Sequence, residues 1–253
     1  MRISIRTTMT RSLWGERIAF LFPYDSEIIA SLATHYNGAN QPGRAEEVAK
    51  NYISQCDSTN LYVNKEYAYS LFMQFKYDEA IPLYEKLIAQ GFDNFESNFV
   101  LGLCYENQPN KEKALKHYQK AVQFKNDNAT CLFHLALIEK SFCMDSLSMA
   151  HFNQSLEVSL PKDRALRTYK WLADLHFQHS RYADAARDFE LSILYDEEDD
   201  PLNYYNAAQM FIASKNKLKA KQHLQMFLAN ANRLEDKKEA AQLISKAKEQ
   251  LKQ

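Results

Sequence analysis

Residues 95–128, FESNFVLGLCYENQPNKEKALKHYQKAVQFKNDN, decide the fold. At 3.6 residues per turn, Leu101, Gly102 and Tyr105 share one face of a first helix, and Ala114, Tyr118 and Ala121 share one face of a second. Residues 107–110, with Pro109, break the periodicity between them. The two faces must meet. Leu101 and Tyr105 supply apolar area, while Gly102, Ala114 and Ala121 remove bulk so that the backbones can close together.

The twelve-residue step from Gly102 to Ala114 recurs along the chain as Ala33 and Ala45, Ala68 and Ala80, Ala136 and Ser148, Ala173 and Ala185, and Ala208 and Ala220. The second members stand 35, 34, 34, 37 and 35 residues apart. Self-similarity at this period denotes an array of helical hairpins rather than one compact core. Boundary residues agree with the register. Asp25, Asn60, Asn94, Asn128 and Asp200 each precede a proposed first helix, where a short polar side chain accepts from an unpaired backbone amide. Pro201 is placed for a first helical turn, where it does no harm.

This pattern resembles the tetratricopeptide repeat, whose motif asks for Leu-Gly, then Tyr, then Ala, an aromatic and Ala at the spacings of residues 95–128. The other units, beginning near Ser26, Leu61, Ala129, Leu166 and Pro201, match more loosely, and together the units cover about four-fifths of the chain. The resemblance implies an all-α, right-handed superhelical solenoid of stacked antiparallel helix pairs. It divides the chain into a degenerate or truncated preceding repeat helix (1–25), six repeats (26–230) and a capping helix (231–253), with residues 1–25 read as the remnant of a longer array. Departures from the motif are visible. Glu139 and His176 replace a bulky apolar contact, which predicts more polar packing there, and Tyr52, Leu87 and Phe227 replace the small residue of Ala121, Ser155 and Ser192. Three extra residues in the fourth unit fall around 160–164, where Pro161 interrupts any helix.

Composition fits this reading. Of 253 residues 46% are hydrophobic, with five Gly and six Pro, which favours helices joined by short turns. Thirty-one Lys and Arg against 32 Asp and Glu exclude a general pull toward nucleic acid or anionic membrane. No membrane span is read. Cys56, Cys104, Cys131 and Cys143 lack paired spacing and read as thiols in a reducing, cytoplasmic compartment. Arg2, Arg6, Arg11 and Arg17, with no acid before Glu16, share a pattern with organellar transit peptides; the apolar run at 18–22 is too short for a secretory signal. Leu13, Trp14, Ile18, Leu21 and Phe22 fit the second helix of a preceding unit. In the tail, Ala240, Leu243, Ile244, Ala247 and Leu251 form the stripe of a cap helix.

In the resembled family the first helices line the concave side, and the face turned from their partners binds the ligand. On this chain that face carries Tyr62, Lys65, Tyr69, Phe72, Phe99, Leu103, Phe133, Leu137, Lys170, Phe177 and Tyr205. A solvated face would be Glu, Lys and Gln, so the strip reads as a recognition surface for a short helix or extended apolar segment of a partner protein. Packing within the core is the competing reading for each single residue. Lys65 has no matching Asn, which disfavours an acidic-tail clamp, although Lys140, Arg167 and Lys170 are left as carboxylate ligands.

Chemistry is not legible. His176 and His179 lack the carboxylate of a helical zinc site, Cys131 and His134 lack a second pair, and the acidic run at 197–200 reads as a solvated turn before a helix. Neither a phosphate loop nor a nucleophile motif is present. The sequence therefore predicts a non-catalytic scaffold without cofactor. The second reading is a structural subunit that self-associates into a homo-oligomer through its apolar strip or amino-terminal face.

Overall fold

The computed structural model describes residues 15–252. They form two compact units, divided between Asn126 and Asp127, and all regular elements among them are helical.

The first unit holds α1 (residues 15–21) and three antiparallel pairs. These are α2 (Ser26–Gly38) with α3 (Pro42–Gln55), α4 (Leu61–Met73) with α5 (Tyr77–Ala89), and α6 (Phe95–Glu106) with α7 (Lys111–Phe124). Successive pairs stack, α4 packing on both α2 and α3, and α6 on α5. The second unit repeats the plan with α8 (Ala129–Ser141) and α9 (Asp145–Glu157), α10 (Lys162–Gln178) and α11 (Tyr182–Ile193), and α12 (Pro201–Ala213) and α13 (Lys217–Asn230). A short 3-10 turn (Ala231–Arg233) then leads to α14 (Lys237–Gln250). The polar residues read as first-helix caps do that work. Asp25 accepts from the amides of Glu27 and Ile28, Asn60 from Val63, Asn94 from Ser97, Asn128 from Cys131, and Asp200 from Leu202.

All twelve small residues are buried where the helices of each pair cross. Ser148 is the one polar member, and its hydroxyl donates to the Ala136 carbonyl at 2.8 Å, so it fills the notch without an orphaned group. Gly102 has no room for a side chain: a Cβ there would lie 2.7 Å from two ring carbons of the fully buried Tyr118. Gly102→Ala is expected to lower stability by about 1–3 kcal/mol through overpacking, read by chemical denaturation. An unchanged midpoint would show that the ring moves aside freely.

Five hairpins turn through a non-glycine residue in the left-handed region, at Asn40, Phe75, Cys143, Ser180 and Lys215, with φ between 56° and 61°. In each, the next amide returns to the carbonyl five residues back, as Lys76 does to Leu71 at 3.0 Å. The third pair differs, because Pro109 occupies its turn.

The insertion of the fourth unit is resolved differently from the sequence reading. Pro161 stands at the N-cap of α10 and does not interrupt it; the extra residues become an added first turn, so α10 starts at Lys162 rather than near Leu166 and runs for 17 residues. Arg164 ties that turn down. Its guanidinium donates to Thr130 Oγ1 at 2.8 Å and lies 5.8 Å over the Phe133 ring.

At the other substituted positions Tyr52, Leu87 and Phe227 are buried, while Ser155 and Ser192 satisfy their hydroxyls on the Phe152 and Phe189 carbonyls. In α14, Ala247 is buried and Leu243, Ile244 and Leu251 pack with it against Tyr205, Leu224 and Phe227. In α1, Ala19 turns toward Leu32 and Ala33, leaving Phe20, Leu21 and Phe22 exposed. Leu13, Trp14, Arg2, Arg6 and Arg11 lie outside the described residues.

Candidate functional site

In the first unit, α4 carries Tyr62, Lys65, Tyr69 and Phe72 at steps of three and four, which aligns them along one face. Tyr62 is 67% exposed and meets Phe92 edge-on at 5.6 Å. The rings of Tyr69, Phe72, Tyr77 and Phe75 then follow one another at 5.8, 6.2 and 6.2 Å. On α6, Phe99 is half-buried, stacked on Phe95 at 5.6 Å and tilted on Tyr118 at 6.1 Å, with Leu103 half-buried one turn on. Of the residues read from sequence on this face, Tyr69 and Phe72 are in ring contact, while Tyr62 and Phe99 meet other rings.

Lys65 is not a free carboxylate ligand. Its ammonium sits 3.0 Å from Glu96 and 3.8 Å from Glu66. Burial would lower its pKa, yet the two carboxylates outweigh that and hold it above the ordinary lysine range. An acidic tail would have to displace both, which removes the charge-assisted cradle at this position.

The second unit corrects two assignments. Phe133 is only 3% exposed, ringed by Phe152 at 6.2 Å and Trp171 at 5.7 Å, and Tyr205 is 6% exposed with its ring 5.1 Å from Phe227. Both belong to the interior. The added turn of α10 brings Arg164 over Phe133, and α14 closes over the cluster that holds Tyr205. Leu137 and Lys170 stay half-buried, and Phe177 is 43% exposed against Tyr182 at 5.4 Å.

Four aromatic neighbours escaped the sequence reading. Phe75, Tyr77 and Phe92 lie at turns or helix starts, off the outward stripe of the first helices, whereas Phe95 opens α6 one turn before Phe99 on the same stripe. Besides the four-residue step from Phe95 to Phe99, Phe75 carried a signal of its own, a large ring inside a hairpin turn, where polar residues and glycine are usual.

The polar substitutions pair across the same twelve-residue step as the small notches. His151 Nδ1 lies 2.7 Å from Glu139 Oε2, and His176 Nδ1 lies 2.7 Å from Asp188 Oδ2. Burial raises the Asp188 carboxyl above the usual range against the pull of His176. His176 thus serves its partner helix. The acidic run is tied into its own turn: Asp196, just before it, accepts from the amides of Glu198 and Asp200, and Asp199 pairs with the Arg233 side chain at 2.8 Å. Among the described residues, His, Cys, Asp and Glu form no group of three or more suited to a metal ion. Burial pushes the Cys104 and Cys131 thiols up to about 12, so neither is a nucleophilic thiolate near neutral pH.

His223 stacks on Phe211 at 5.2 Å, and its buried Nδ1 has no hydrogen-bond partner. Burial depresses its pKa, opposed by Glu190 and reinforced by Lys219. The unfolded chain therefore takes up a proton below about pH 6.5 more readily than the folded one. Stability from this group is complete above that pH and is lost as the pH falls through the depressed value. His223→Phe is expected to flatten this decline in denaturation midpoints between pH 7.5 and pH 5; an unaltered slope would assign it to other groups.

Stacked two-helix units with buried small residues at a 34- to 37-residue step make this a tetratricopeptide-type repeat protein. Comparison with known proteins agrees. Residues 73–142 match the family described as anaphase-promoting complex, cyclosome, subunit 3. DnaJ homolog subfamily C member 3 of Gallus gallus is 23% identical over 65% of this chain, which spans 34% of that relative's length. Among solved structures, the APC/C hetero-tetramer Cut9-Hcn1 aligns over 95% of this chain and 46% of its own, with a TM-score of 0.57 at 16% identity. MamA of Desulfovibrio magneticus aligns over 62% and 88%, with a TM-score of 0.54 at 17% identity. At these identities the solved structures speak for the fold alone. Among the described residues no helix is long and apolar enough to cross a membrane.

Proposed function

We propose that the chain is a non-catalytic protein-interaction scaffold whose first unit binds a short helix or extended apolar segment of a partner through the aromatic face of α4 and α6. The observation that carries this is a pair of exposed rings, Tyr62 at 67% and Phe75 at 76% exposure, with half-buried Tyr69, Phe72 and Phe99 on those two helices. Rings present large area with few rotors to freeze, which suits anchoring a peptide. With Lys65 already neutralised, the face favours an apolar over an acidic guest. The fold fits this role, and a reducing, cytoplasmic setting goes with four cysteines that lack paired spacing.

The test is affinity capture from native extract with the wild-type chain and with Tyr62→Ser/Phe75→Ser. Loss of a retained protein at unchanged melting temperature is the expected result. Equal capture by both chains would overturn the reading. A second reading, self-association, has its own observation in Phe20, Leu21, Phe22 and Tyr24, which are 55–85% exposed. Light scattering decides it: a concentration-dependent dimer abolished by Phe20→Ser/Leu21→Ser supports it, and a monomer at all concentrations removes it.

A further inference from the structure

At the far end of the second unit, α12, α13 and the end of α14 enclose a cleft of about 630 Å³. Its apolar lining is Ala220 and Leu224, both buried, half-buried Leu251 and Ile212, which is 41% exposed; these form its floor. Its rim carries Lys215, Lys217, Lys221 and Lys252, and no acidic residue lines it. None of these four ammonium groups pairs with a carboxylate among the described residues, whereas Lys219, on the same helix, is held by Glu190 at 2.5 Å. Gln209 and Gln250 exchange side-chain hydrogen bonds at 3.0 Å, which ties the end of α14 to α12 beside the cleft.

The charge arrangement is costly to the fold. Lys217 and Lys221 are like charges one turn apart, which destabilises a helix. Lys217 also stands in the first turn of α13, which holds no acid, so its charge opposes the positive end of the helix dipole. An anion seated there would relieve both terms.

We propose that this cleft binds an acidic peptide segment carrying one large apolar side chain, the side chain on the Ile212–Leu224–Leu251 floor and flanking carboxylates on the lysine rim. The lysines come from a turn, from α13 and from beyond α14, so positive charge surrounds the floor. That matches acids on both sides of an apolar anchor. A fatty acid, with one carboxylate at one end, would leave the remaining lysines unpaired. The proposal does not depend on the aromatic face of the first unit.

The experiment measures binding of a blocked, fluorescent Asp-Glu-Trp-Glu-Asp peptide to the full chain by anisotropy, beside the same peptide with Ser for Trp, and vesicles containing phosphatidylserine. Saturable binding is expected that weakens about tenfold or more in Lys217→Glu/Lys221→Glu, while Lys238→Glu/Lys246→Glu, away from the cleft, binds as wild type. Ile212→Ser should weaken the Trp peptide and leave the Ser peptide unchanged. Melting temperatures of the variants confirm that each is folded. Equal weakening by both lysine pairs, equal affinity for the Trp and Ser peptides, or binding to vesicles without peptide binding would each overturn the proposal.

Discussion

Phe133→Ala is expected to lower the unfolding free energy by about 3–5 kcal/mol, the loss seen when a large aromatic ring leaves a packed core. Phe133 contacts Phe152 and Trp171 and lies beneath the Arg164 guanidinium, so truncation opens a cavity and leaves the added turn of α10 without its anchor. Chemical denaturation measures the loss. The same change at Tyr62, which is 67% exposed, should fall within about 0.5 kcal/mol. If both variants lost the same stability, the distinction between interior and surface rings would fail, and the aromatic face with it.

Breaking the His176–Asp188 pair from one side should be as damaging. His176→Leu leaves a buried carboxylate with Arg187 at 4.0 Å as its cationic neighbour and Asp184 as a repelling one, and about 3–5 kcal/mol is expected at neutral pH. The cost should shrink in acid. Asp188 already holds its proton to higher pH than an ordinary aspartate because burial disfavours the charge; a folded pKa above the unfolded one favours folding at low pH and loses that favour as pH rises through it. Replacing both partners, as His176→Leu/Asp188→Leu, should recover most of the loss, since an apolar pair of similar volume carries no desolvation penalty. A double variant as unstable as the single one would mean that the pair's shape matters and its charge does not.

The repeat was legible because its cause is local and periodic. Two backbones approach closely only where side chains are small, and that demand recurs at each crossing, so Gly102 with Ala114 and its five counterparts announced the hairpins. Caps such as Asn94 and Asn128 were legible for a similar reason, since each satisfies an amide two or three residues away. Even Glu139 and His176 were recognisable as polar intrusions, and their partners His151 and Asp188 follow at the same twelve-residue step.

What could not be read from order along the chain is which outward ring stays outward. Phe99 and Phe133 hold the same place in their repeats, but one stays half-buried and the other is enclosed by Trp171 and Arg164, residues more than thirty positions downstream. Tyr205 is covered likewise by a helix that follows the repeats. Helix identity, pairing and register follow from spacing, because short-range sterics and hydrogen bonding set them. Exposure, ion pairing at Lys65 and the lysine-rimmed cleft follow from where successive helices come to rest, because burial is a property of neighbours in space.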